Sequence, residues 1–163
     1  MIYKASLDKL TKGFTIGITI LFFASCLAAF YFAVDEQLLS PILSLFGLSF
    51  IYLLVYIYRP INYQLTDKFL LIHRIISDVK IERTRIKNME QVSTDQLRYA
   101  MRIFGVGGMF GYYGKFRTSK MGTMTWYATR RDRFVLVETI EGKKIILTPD
   151  EPEKLIQDLN KEC

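Results

Sequence analysis

The chain has 163 residues, 50% hydrophobic and 23% charged, with a formal net charge of +6 and two cysteines. Those averages suit a soluble domain, but the charge is unevenly placed: Gly13–Val34 and Leu38–Tyr58 contain no Asp, Glu, Lys, Arg or His. The partition excludes a uniform soluble domain, a wholly disordered chain, a collagen-like repeat and a disulfide-stapled mini-protein.

Residues 1–12 form a short segment carrying Lys4, Lys9 and Lys12. Residues 13–34 then predict a first transmembrane helix of about 33 Å, enough for a hydrocarbon layer of roughly 30 Å. Residues 38–58 predict a second, with Pro41 near its start, where a missing N–H costs least. Only residues 35–37 (Asp, Glu, Gln) join them, so the two form an antiparallel hairpin. Lys and Arg flank the outer ends, with Arg59, Lys68 and Arg74 after the second span, and none lies in the connection. The positive-inside rule then sets both termini in the cytoplasm and residues 35–37 outside, in a multi-pass protein of the inner membrane. Small residues at Gly13, Gly17, Ala24 and Ala28 suit close packing of the two spans.

Phe23-Ala24-Ser25-Cys26 has the outline of a lipobox, which makes lipidation of Cys26 a rival reading. Against it, the apolar run continues past Cys26, longer than the 7–15 residues of a cleavable signal core. Cys26 and Cys163 have no metal-like spacing, and free thiols suit a cytoplasmic domain.

Residues 59–163 are one domain's length and carry 19 of the 22 Lys and Arg. Their pattern predicts strands at 61–65, 69–75, 78–82, 87–92, 111–118, 123–128, 134–140 and 143–148. The last two form a hairpin turned at Glu141-Gly142. Residues 95–102 predict a short helix within the less regular 94–109. Thr148-Pro149-Asp150-Glu151 then offers caps for a final helix whose apolar stripe is Leu155, Ile156 and Leu159.

Several motifs in this order resemble the bacterial pleckstrin-homology (PH)-like domains of small membrane proteins. They are Tyr63-Gln64-Leu65-Thr66-Asp67-Lys68 before an apolar strand, Ile81–Ile86, Phe110-Gly111-Tyr112-Tyr113-Gly114-Lys115-Phe116-Arg117, Tyr127-Ala128-Thr129, Phe134–Leu136, and Thr148-Pro149-Asp150-Glu151-Pro152. The resemblance covers about residues 58–159. It implies a β-rich barrel of about seven antiparallel strands capped by a C-terminal α-helix. It implies no agreed activity, because fold does not carry function.

The basic residues are the main candidates for contact with lipid or a partner. Lys80, Arg83, Arg85 and Lys87 form one group. Lys115 and Arg117 share a strand face, with Phe116 on the other. Arg130, Arg131 and Arg133 crowd a turn. Each Lys or Arg near an anionic leaflet is worth about 1 kcal/mol. The plain alternative is a solvated surface whose positive excess serves topology alone. The run Gly105, Gly107, Gly108, Met109 and Phe110 lacks the spacing of a nucleotide loop. It reads as a glycine-bent loop, mobile and partly apolar, able to dip into a bilayer or partner.

Nothing in the sequence assembles a catalytic or metal site, and no cofactor or small-molecule substrate is implied. His73, the only histidine, stands in a predicted strand, where a structural role is the ordinary one. Nucleic-acid binding lacks any motif beyond charge. The expected function is therefore a non-enzymatic, membrane-anchored binding or scaffold module. Its cytoplasmic PH-like domain contacts a protein partner, another copy of itself or anionic lipid head groups. The alternative is an accessory or regulatory subunit of a membrane enzyme or transporter.

Overall fold

The computed structural model describes residues 1–32 and 39–161. The expected connection at 35–37 and the C-terminal Cys163 lie outside them.

The chain begins with a strand, β1 (Ile2–Lys4), and then enters helix α1 (Lys9–Phe32). Asp8 starts the helix: its Oδ1 accepts the Thr11 N–H at 2.7 Å and its carbonyl accepts the Lys12 N–H at 3.0 Å. An acidic cap satisfies donors that the first turn cannot. Helix α2 (Leu39–Ile57) returns to strand β2 (Pro60–Leu65). Pro60 has no N–H to donate and holds Arg59 out of helical backbone, which ends α2 there.

The 24 residues of α1 extend about 36 Å and the 19 of α2 about 28 Å. Lys9–Tyr31 is long and apolar enough to cross a membrane, with a mean hydropathy of 2.1. The described apolar stretch of α2, Ile42–Ile57, is shorter. The helices meet through Tyr52, which stacks on Phe22 at 4.8 Å and shares a 3.0 Å hydrogen bond with Thr19. The small residues are not the seam. A side chain at Gly13, Gly17 or Gly47 would meet nothing within 4 Å, and Ala24 and Ala28 are exposed. Ile20, Phe23, Leu27 and Phe30 of α1, and Phe46, Phe50 and Leu53 of α2, are each more than half exposed.

The remaining strands are β3 (Phe69–Arg74), β4 (Val79–Glu82), β5 (Ile86–Val92), β6 (Met101–Gly107), β7 (Tyr112–Thr118), β8 (Gly122–Ala128), β9 (Phe134–Thr139) and β10 (Lys144–Leu147). A four-residue helix α3 (Thr94–Leu97) precedes β6, and α4 (Pro152–Lys161) closes the chain. Among the described residues, ten strands form two open sheets rather than a seven-stranded barrel. The smaller has the order β1-β2-β3-β4 and the larger β5-β9-β10-β8-β7-β6. A single 3-10 turn at Arg83–Arg85 interrupts the path from β4 to β5. The chain thereby changes sheets, and β5 pairs with β9 instead of continuing the first ladder. Pairing is antiparallel except between β8 and β10.

The core lies between the sheets, where Tyr63, Leu70 and Ile72 meet Val135, Val137 and Leu147 with Leu155 of α4. Alternation explains it: Tyr63 and Leu65 of β2 and Leu70 and Ile72 of β3 are buried at two-residue spacing. The opposite face of the larger sheet carries a second cluster around Trp126, which stacks on Phe116 at 4.5 Å and is flanked by Leu97 and Phe134. Each large side chain fully buried in this way contributes roughly 1.5–3 kcal/mol.

Two expectations change here. The helix foreseen at 95–102 is only Thr94–Leu97, and the glycine run begins in a strand. Gly105 and Gly107 belong to β6, and Gly105 lies opposite Gly114 of β7. Both have positive φ, 113° and 123°, and a Cβ on either would come within 2.3 Å of the facing carbonyl oxygen. Only glycine allows the two backbones that close.

Candidate functional site

The residues before α1 are bound into the domain that follows α2. In β1, Ile2, Tyr3 and Lys4 pair with Gln64, Tyr63 and Asn62. The Met1 ammonium donates to the Leu65 carbonyl, and the Leu65 N–H donates to the Met1 carbonyl at 2.8 Å. Tyr3, buried, donates its hydroxyl to Asp158 of α4 at 2.6 Å. The Tyr63 hydroxyl at the heart of this region has its pKa pushed up to about 12 by burial. Ser6 donates to the Asp150 carboxylate through both N–H and hydroxyl, while its carbonyl accepts from Thr129. The second Asp8 oxygen accepts the Arg131 N–H at 3.1 Å. Burial alone would raise the Asp8 pKa. Hydrogen bonds from Thr11 and Arg131 and the nearby Arg130 charge outweigh it, so the net shift is downward.

The turn between β6 and β7 is the second attachment. Phe110 donates its backbone N–H to Thr15 Oγ1 at 2.9 Å. Its ring meets Tyr52 and Tyr56 edge-on at 5.7 and 5.3 Å. The Arg59 guanidinium lies 4.4 Å from the Tyr56 ring centre and 5.5 Å from that of Phe110. Tyr113 donates its hydroxyl to the Val55 carbonyl, and burial raises its pKa. Phe110 adopts φ 55°, a left-handed geometry that turns the ring toward the helices. Gly108 passes close to Phe14. Thr15 near the start of α1 and Tyr56 near the end of α2 thus touch one residue, Phe110, which fixes the helices as antiparallel.

Between α2 and the larger sheet lies an apolar groove of about 620 Å³. Ile51, Leu54 and Val55 of α2, and Tyr58 just past its end, line it at the three- and four-residue spacing of one helix face. Val106, Tyr113, Thr125 and Tyr127 line it from β6, β7 and β8, with Gly105 and Gly114 between them. Arg74, at the end of β3, is the one charged residue lining it. Its guanidinium stands 5.5 Å from the ring centre of Tyr58 and 6.0 Å from that of Tyr127. Nε and Nη2 donate to the carbonyl and hydroxyl of Ser77 at 2.7 and 2.9 Å. Burial raises the Tyr127 pKa, and the Arg74 charge acts against it.

The structure separates the predicted basic residues. Pro60 pairs with Arg74 where α2 meets the sheet, whereas Glu82 pairs with Phe69 at the far end of β3, about 17 Å away. Arg83 and Arg85 follow Glu82 at that far end. Arg83 donates to the Leu159 carbonyl at 2.7 Å, and Arg85 pairs with Glu82 and Glu141. Lys80 and Lys87 are exposed. Lys115 and Arg117 are exposed on the face of β7 that also presents Tyr113, with Phe116 buried opposite. Arg130 is held by Asp132 and Asp150, which together raise its pKa. Arg131 lies 5.4 Å from the Tyr112 ring centre, beside the start of α1, and Arg133 donates to the Asp150 carbonyl. Of the glycine run, Gly108–Phe110 forms the turn that packs on the helices.

His73 sits in β3 between Asp78, 3.0 Å from Nδ1, and Gln64, 2.8 Å from Nε2. Among the described residues, no group of His, Cys, Asp and Glu has a metal-holding arrangement. Sequence reasoning did not single out Tyr3, used Tyr127 only within a family motif, and used Arg59 and Arg74 only as topology charges. The one signal was Arg59, placed directly after an aromatic-rich span; nothing in the sequence brought Arg74 to it.

Two sheets packed face to face with a C-terminal helix across them define a PH-like β-sandwich, a fold that serves generally as a binding module. The family model for the bacterial PH domain matches residues 61–163, and the chain belongs to that family. The match indicates no enzyme family. No curated protein and no solved structure matches the chain.

Proposed function

We propose that the protein is a membrane-anchored binding module, with α1 and α2 as a two-span anchor and the PH domain held on the cytoplasmic surface of the inner membrane. One observation carries the reading. β1, before the helices, pairs with β2, after them, so an apolar hairpin that leaves the domain also returns to it. The exposed Phe and Leu side chains of both helices need an apolar solvent. Both attachments and the Arg59 and Arg131 side chains lie where the helices join the domain, a suitable level for anionic head groups. Residues 1–8, although ahead of the first helix, are part of the domain's own fold.

A protein partner is the second reading, as a scaffold or as a subunit of a membrane enzyme or transporter. It is favoured by β6, the outer strand of the larger sheet. Its Met101, Ile103 and Phe104 are each more than half exposed beside an unpaired backbone edge. The test is fractionation followed by site-specific crosslinking. The full chain stays in membranes washed with alkaline carbonate, and a photo-crosslinker at Ile103 captures one stoichiometric partner if the second reading holds. Release by carbonate overturns the anchor.

A further inference from the structure

The groove beside α2 combines an apolar lining, one cation and a position on a membrane anchor. We propose that it binds an anionic phospholipid, with one acyl chain lying between α2 and strands β6–β8 and the phosphate held by Arg74. The proposal deepens the anchored-module reading and rests on it.

The shape suits a chain. The volume of about 620 Å³ falls in the range of ligand pockets. From Tyr58 to Ile51 the helix rises about 10 Å, so the lining runs from the interfacial level into the hydrocarbon level. The occupant follows from that depth. Ile51 and Leu53 of α2 are open to the same apolar medium, and lipid is the most abundant molecule there. A soluble ligand or a peptide would have to displace it.

The charge suits a phosphate. Among the described residues no carboxylate pairs with Arg74. Asp78 accepts the Arg74 backbone N–H through Oδ1 at 3.4 Å and pairs through Oδ2 with His73 at 3.0 Å. The Ser77 contacts occupy Nε and Nη2 and leave Nη1 to donate outward. Stacking beside Tyr58 and Tyr127 keeps the guanidinium plane in place. Lys115 and Arg117 lie on the same sheet face, farther from α2, and neither has an ion-pair partner among the described residues. Arg74 at the groove, with Lys115 and Arg117 on the sheet face beyond it, complements a negative head group.

The test uses the full chain in mild detergent, titrated with palmitoyl-oleoyl phosphatidylglycerol or the matching phosphatidylcholine and read by native mass spectrometry. One phosphatidylglycerol is expected per chain, held about tenfold more tightly than phosphatidylcholine. Arg74→Gln removes that preference. Leu54→Trp fills the groove from the exposed helix side, where the domain core is untouched, and removes the adduct whichever head group is offered. An unchanged melting temperature for L54W confirms that its fold is intact. Both variants stay in carbonate-washed membranes, so release of the wild-type chain counts against the anchor, and a wild-type chain that stays in the membrane but binds both lipids equally counts against the groove. Equal binding of the two lipids, adducts that persist in L54W, or a dimer mass in place of the lipid adduct overturns the proposal.

Discussion

Replacing Phe110 with alanine separates the domain from its helices at one defined point. The side chain is only 7% exposed, held by Tyr52, Tyr56 and the Arg59 guanidinium. Truncating a fully buried Phe costs about 3–5 kcal/mol, and each edge-on aromatic pair accounts for about 0.5–1.5 kcal/mol beyond area. Lipid tails or detergent recover part of the lost contact on the helix side. About 2–3 kcal/mol therefore remains as loosening of the joint, or roughly 30–150-fold in its opening equilibrium. Hydrogen exchange on the full chain in detergent reads this directly at the backbone amides of 108–113. Phe110→Gly removes the same ring but relieves the left-handed strain at φ 55°, worth about 1–2 kcal/mol, so it opens less than Phe110→Ala. Equal protection in the wild type and Phe110→Ala, or a larger effect from glycine than from alanine, would refute the reasoning.

Four other substitutions test separate contacts. Tyr3→Phe strips the buried Asp158 carboxylate of its 2.6 Å donor; it costs about 1–3 kcal/mol and lowers the melting temperature by several degrees. Gly105→Ala sets a Cβ 2.2 Å from the Tyr113 oxygen at φ 113° and disrupts the β6–β7 pairing. Gly17→Ala, with open space around it, is tolerated or slightly stabilising, and thermal melts of the two distinguish them. The Asp8 carboxyl titrates below its ordinary value of 3.8 in the folded chain. Its contribution is therefore complete above that value and is lost as pH falls through the lower folded pKa. Asp8→Asn flattens the acid limb of the stability–pH curve below about pH 4, which denaturant titrations at several pH values measure.

Features set by neighbouring residues were legible in the sequence. The β9–β10 hairpin turns at Glu141-Gly142, where Gly142 has φ 76°, and α4 follows its cap and apolar stripe. β1 was not legible: three residues make a strand only because β2 returns beside them after two helices. β6 was hidden by its glycines, which weaken strand propensity in isolation. They are required because Gly105 faces Gly114 across the ladder. Barrel or sandwich turned on three residues, Arg83–Arg85, whose 3-10 turn separates β4 from β5. The candidate site was the least legible part. Tyr58, Arg74 and Tyr127 come from three separate segments and meet only in the fold. Conversely, Arg83 and Arg85 look like a surface patch in sequence but are taken up by Leu159, Glu82 and Glu141.

The central claim is that an apolar hairpin leaves the domain and returns to it across one membrane, and cysteine accessibility tests it most directly. In a Cys26→Ala, Cys163→Ser background, Gln37→Cys probes the link between the helices and Lys120→Cys the exposed β7–β8 turn. A membrane-impermeant maleimide added to intact cells is predicted to label Gln37→Cys and to reach Lys120→Cys only after the membrane is permeabilised. Labelling of Lys120→Cys in intact cells, or protection of Gln37→Cys there, would contradict the account.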